Sequence, residues 1–165
     1  MRHVLAALLL WLGSTAAFAQ PATPATEYVA AAAATDLYER ISAEYVLRDV
    51  AVPDDVKRFA QQMVVDHHNT GYQLRQVAGQ DGVPAGIPIM TPVQQAMIEQ
   101  LKLANGEELA RIYLIQQLTI HQRAHDLHAS YARDGQEPGL RTHAADVARM
   151  IQVHIQQIES LIGRN

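Results

Sequence analysis

Glycine and proline are confined to a few short segments of this chain, and that distribution constrains the fold more than any motif. Residues 25–52, 107–134 and 140–162 contain neither. Both are costly inside a helix, proline for its missing N–H and glycine for its backbone entropy. The stretches without them are therefore where long helices can run. Helix one is expected over about Glu27 to Ala51, because the residue before Pro53 is pushed out of the helical region. Pro53-Asp54-Asp55 reads as the first turn of helix two, where no donor is needed and acids face the positive end of the dipole. Val56, Phe59, Ala60, Met63, His67, Leu74 and Val77 then recur at helical spacing up to Gly79. After a connection from Gly79 to Met90, Thr91-Pro92-Val93-Gln94 is a capping box with proline at the first helical position, opening a short helix to about Ala104. A long helix follows Asn105-Gly106, from Glu107 to about Arg133, and Asp134-Gly135 stops it. Pro138 starts the last, with Leu140, Ala144, Val147, Ile151, Ile155, Ile158 and Ile162 on one face. The pattern predicts an all-α chain: an up-down-up-down four-helix bundle with a short extra helix in the connection between helices two and three.

The first residues predict something else. Arg2, an apolar run from Val4 to Leu12, and Ala17-Phe18-Ala19 have the layout of a secretory signal cleaved after Ala19. The chain then divides into a signal peptide at 1–19, a flexible Pro/Ala/Thr spacer at 20–26 and a helical domain at 27–165, with a periplasmic destination. Arg2 is the one charged residue of the signal, so its loss takes the net charge from −4 to −5. Acids and bases are interspersed along the helices, which argues against a nucleic-acid partner. There is no cysteine, which excludes disulfides, a lipidated cysteine and any thiolate ligand or nucleophile. No Gly-x-Ser-x-Gly elbow or phosphate-cradling glycine loop occurs, and no catalytic residue is assigned.

Any metal must therefore be held by histidine and carboxylate. At 100° per residue, Glu39 falls in one sector with Ala32, Asp36, Ala43, Val46 and Val50, and His67 with Phe59, Met63 and Leu74. His121 flanks the stripe of Leu109, Tyr113, Ile120, Ala124 and Tyr131, and His154 lies just off Ile151 and Ile158. Glu39 and His67 each lie 14 residues from Pro53, His121 lies 14 before Gly135, and His154 lies 16 after Pro138. In an up-down-up-down bundle these four groups meet in one layer, to within about a helical turn. Imidazole with carboxylate suits one transition-metal ion: zinc, iron, copper, manganese or nickel. Asp66, beside His67, is a further ligand or orients an imidazole from behind. The plainer alternative is a metal-free polar layer in which Glu39 pairs with His67 or His121. Of the other histidines, His68 and His143 are expected at the surface. His125 and His128 belong to a helix flank, where His121 with His125 offers a second, surface contact. The tyrosines and methionines read as packing.

Several of these strings occur together in a known pattern. Asp36-Leu37-Tyr38-Glu39, Phe59-Ala60-Gln61-Gln62-Met63-Val64-Val65-Asp66-His67, Tyr113-Leu114 with Gln117 and His121, Tyr131-Ala132 before Gly135, and His154 resemble the bacterial domain of unknown function 4142 family. The resemblance covers nearly the whole chain beyond the signal. It implies a ferritin-like four-helix bundle exported to the periplasm, loosely associated with the outer membrane or an envelope protein, and without a settled activity. The chain departs from two related patterns. No Glu-x-x-His of the ferritin-like di-iron proteins is present, which leaves too few core carboxylates for a two-metal redox enzyme. Ile41 stands where the family often has an acid after the equivalent of Arg40.

Overall fold

The structure, a computed structural model, describes residues 22–164. The signal segment and the first residues of the predicted spacer lie outside the described residues. Five helices and no strand are present among those described: α1 (Ala25–Arg48), α2 (Asp54–Gln80), α3 (Pro92–Leu101), α4 (Gly106–Asp134) and α5 (Pro138–Ile162). The α1 helix begins inside the predicted spacer and ends three residues early, so Val50, expected to face inward, sits in the turn and is 91 % exposed. The capping box forms as its residues dictate. Gln94 N–H donates to Thr91 Oγ1 at 3.2 Å, and Thr91 N–H donates to Gln94 Oε1 at 2.8 Å. None of the described helices is long and apolar enough to cross a membrane.

The direction of the second half departs from expectation. Asp49, in the turn after α1, accepts the backbone N–H of both Ala51 and Gly106 at 2.8 Å. The α4 helix thus starts at the end of the molecule where α1 finishes. At the other end, Asp81 accepts the N–H of Leu140 at 2.8 Å, so α5 starts where α2 finishes. Hence α2 and α4 run the same way, with α1 and α5 opposite to both, and the up-down-up-down order is overturned. The cause is the reach of the connection. The nine irregular residues 83–91 can cover ~30 Å in extended form, and α3 adds ~15 Å. Together they match the ~40 Å of α2, so the chain returns along the full length before α4 begins. Gln116 fastens this return to the body of the molecule: its amide donates to Met97 O (3.1 Å) and Gln100 Oε1 (3.0 Å) and its Oε1 accepts from Tyr38 (2.9 Å).

The α1–α2 and α4–α5 hairpins pack on each other through α1 against α4 and α2 against α5. One apolar cluster, with Val46, Val56, Phe59, Met63, Leu109 and Ile158, fills the end near Asp49. A second, with Tyr28, Leu74, Ala78, Tyr131 and Leu140, fills the end near Asp81. The alanine run contributes Ala32, Ala33 and Ala34 to buried, close packing. Between the two clusters lies a layer of buried polar side chains.

Candidate metal centre

That layer is built by one or two side chains from each long helix. On α2, His67 lies one turn beyond Met63, which buries it on the apolar stripe, and it is 3 % exposed. His121 on α4 and His154 on α5 are each 1 % exposed. One nitrogen from each of these three residues lies within 4.8 Å of the other two. Among the described residues this is the one group of three or more such ligands.

The outer nitrogen of each ring is committed to an acceptor. His67 Nδ1 meets Asp36 Oδ1 at 2.8 Å, His121 Nδ1 meets the carbonyl of Gln117 at 3.0 Å, and His154 Nε2 meets Asp66 Oδ2 at 3.1 Å. A carbonyl or carboxylate oxygen can only accept, so each outer nitrogen carries the proton and each inner one presents a lone pair. His67 Nε2 is buried with no hydrogen-bond partner. His121 Nε2 and His154 Nδ1 face each other at 3.3 Å. Two lone pairs at that distance repel unless a proton or a cation sits among them. Protonation of this pair is disfavoured: burial, then the neighbouring histidines, hold His121 well below its ordinary value, and burial, then His67, bring His154 down to about 4. A cation fits better. Three nitrogens at ~2.1 Å from one tetrahedral ion are ~3.4 Å apart, which the closest pair already matches.

The carboxylates stand behind the rings. Glu39, wholly buried, has Oε1 3.3 Å from His121 Nδ1, on the ring's outer side, and neither of its oxygens makes a hydrogen bond. Burial pushes its carboxyl up to about 7 although His67 pulls the other way. For His67 burial is the largest single effect and lowers it. The Asp36 hydrogen bond and the charges of Glu39, Asp36 and Asp66 together outweigh burial and raise it. Of the four residues picked out by spacing and Asp66 beside them, the structure therefore brings His67, His121 and His154 together, while Glu39 and Asp66 act on the rings from outside. Asp36 was placed in the inward sector but given no role; it is the partner of His67, and its Oδ1 also accepts from Thr70 at 2.8 Å. With Asp36 and Asp66 each taken up by an imidazole, no set of bridging carboxylates is left for a metal pair.

Two further expectations fail. The surface contact of His121 with His125 does not form, since both nitrogens of the buried His121 are engaged in the layer and His125 leans toward Asp126. His143, expected at the surface, is 7 % exposed because it lies three residues after Leu140 on the inward face of α5. His128 is buried as well, with Nδ1 on the Tyr28 hydroxyl at 2.9 Å, and Tyr28 stacks on Tyr131 with centroids 3.8 Å apart. Its burial gives a prediction. Desolvation, the dominant cause, lowers His128 from 6.5 to about 4. The folded chain then binds fewer protons than the unfolded one between those values, and stability falls as pH falls through that window. Urea titrations of the metal-free protein at pH 7 and pH 4.5 are expected to show a smaller loss in His128→Gln than in the wild type.

An all-helical domain with a buried layer of three converging imidazoles is the class that this geometry defines. The chain belongs to the family described as Domain of unknown function (DUF4142), whose model matches residues 12–161. No curated protein matches the sequence. Two solved structures share the fold. A DUF305 fragment from Deinococcus radiodurans has a TM-score of 0.74 and 20 % identity, covering 88 % of this chain and 100 % of its own. CopM in its Cu(II)-bound form has a TM-score of 0.71 and 16 % identity, covering 87 % and 98 %.

Proposed function

We propose that this is an exported, periplasmic metal-binding protein that holds one transition-metal ion among His67, His121 and His154. The single observation that carries the reading is the convergence of three inner ring nitrogens. Each ring is oriented by an acceptor on its outer nitrogen, as metal-ligating histidines usually are, and among the described residues the inner nitrogens have no partner outside the layer itself. An all-imidazole set favours zinc, copper, iron or nickel over manganese, and CopM, of similar fold, has been seen with Cu(II). The scaffold in this reading is a ferritin-like four-helix bundle, for which one long crossover connection is the usual topology, with α3 carried on the crossover. We place it at the cell envelope, after cleavage behind Ala19, with its partners there rather than among nucleic acids.

The test is the metal content of the protein exported without a histidine tag, measured by elemental mass spectrometry beside His121→Ala. About one equivalent of metal in the first and a large loss in the second is the expected result. No metal in either leaves the polar layer as a metal-free packing device in an interaction module.

A further inference from the structure

The three imidazoles are sealed from solvent, so an ion must reach them past one of the groups that back them. Those groups differ in exposure: the side chain of Glu39 is 1 % exposed, that of Asp36 14 % and that of Asp66 29 %. They differ as much in what they are free to do. Asp36 Oδ1 is taken by His67 and Thr70, and its Oδ2 packs against Gly71, 3.3 Å from where a Cβ would stand. Asp66 makes one hydrogen bond through its side chain, Oδ2 to His154, and Oδ1 makes none. A carboxylate oxygen without a partner, reached by water and one side chain away from a buried imidazole, is what a hydrated cation can bind first.

The surroundings of Asp66 lead the same way. A groove of about 450 Å³ follows the seam between α2 and α5 and ends one turn short of Asp66; Asp55, Arg58, Phe59, Gln62, Val153 and Arg164 are among its lining. Its inner wall backs onto the centre: the ring of Phe59 meets that of His154 edge-on, with centroids 6.5 Å apart. Gln62 lies one turn before Asp66 on α2, and Val153 is next to His154 on α5. Gln157 Oε1, buried in the same stretch, has no hydrogen-bond partner.

We infer that the α2–α5 seam is the portal of the centre, and that Asp66 is the capture ligand through which a divalent transition-metal cation reaches His154 and then the other two imidazoles. The inference rests on the metal-binding reading above. In this sequence the cation exchanges water for Asp66 Oδ1 and the Asp66–His154 hydrogen bond opens. His154, whose ring is free to turn once that bond opens, keeps its proton on Nε2 and supplies Nδ1 as the first nitrogen. His67 and His121, more deeply placed behind it, complete the set. No bond within the protein is made or broken covalently, and the ion keeps its charge throughout.

The experiment is stopped-flow mixing of the metal-free protein with Cu(II), followed by the absorbance of the bound ion. It is paired with release into excess chelator. Asp66→Asn can still accept the His154 N–H but has no charge, and uptake is expected to slow by about tenfold and to lose most of its dependence on ionic strength. Gln62→Trp, which fills the groove without touching the centre, is expected to slow uptake and release together. Unchanged uptake in Asp66→Asn, with only release made faster, is what a residue that merely supports His154 would give, and it overturns the inference. Unchanged uptake in Gln62→Trp rules out the seam as the route. If the wild type itself takes up neither Cu(II) nor zinc, iron or nickel, the metal-binding reading fails, and this inference fails with it.

Discussion

Saturating Cu(II) or Zn(II) is expected to raise the unfolding free energy of the chelator-treated protein by about 4 kcal/mol once free metal exceeds the dissociation constant about a thousandfold. The unfolded chain has no assembled site, so binding energy appears as folding energy. The gain is on the order of 10 °C in melting temperature for a domain of this size. His67→Ala and His121→Ala each remove one of three nitrogens and are expected to abolish most of it. His121→Ala also opens a cavity in a packed core, which destabilises by itself. The informative quantity is therefore the difference with and without metal inside each variant, read by thermal or urea denaturation. A wild type whose melting curve ignores every metal of the series would refute the site. So would a His121→Ala protein that keeps the full gain.

Glu39→Met is expected to make the metal-free protein more stable, by about 3 kcal/mol at pH 8. This carboxyl is fully buried, and burial pushes it from 4.5 up to about 7 against the pull of His67 and the neighbouring Gln117 amide. Its folded value lies above its unfolded one, so the charged form is what the fold resists. The penalty is absent below about pH 4.5, grows through the window between the two values, and is complete above about 7. Methionine has similar length and no charge, and its flexible side chain can fill the same space. Urea titrations at pH 8 and at pH 4.5 should show the gain at the first and little of it at the second. With metal bound, the benefit of the substitution shrinks, because the anionic Glu39 then lies near a cation. A variant no more stable than wild type at pH 8 would mean that Glu39 has found a compensating donor.

Most limits of the later helices are legible because local rules set them, the Thr91 capping box, Gly135 and Pro138 each punctuating the chain through its own backbone chemistry, whereas α1 stops at Arg48, well before Pro53. The direction of α4 is not legible. Nothing between residues 81 and 105 states whether the connection turns back at once or runs the length of its neighbour. Only the trans contacts of Asp49 and Asp81 decide it. The prediction that the histidines share a level survived this error for a simple reason. His121 lies 15 residues from Gly106 and 14 from Gly135, near the middle of α4, so reversing the helix leaves it at the same height. Spacing also gave the sector of every residue in the centre, but not its part. A hundred degrees per residue says which way a side chain sets out, not which ring nitrogen meets which oxygen. Spacing therefore gives Asp36 no role, leaves Asp66 open between ligand and support, and puts Glu39 among the ligands rather than behind them. The position of His143 near the start of α5 suggests exposure, but its spacing from Leu140 turns it to the inward face.

The two aspartates at opposite ends of the molecule have a mechanical consequence. Each ties the backbone of one hairpin to the other, Asp49 at the start of α4 and Asp81 at the start of α5. A pair of beams pinned at both ends bows most at mid-span. The seam between α2 and α5 is held at one end by Asp81 and at the other by the Arg164–Asp55 ion pair at 3.9 Å, and its mid-span is the level of Asp66 and His154. The most compliant part of the frame therefore coincides with the half-exposed carboxylate, while the pinned ends keep the imidazoles aligned once the seam relaxes.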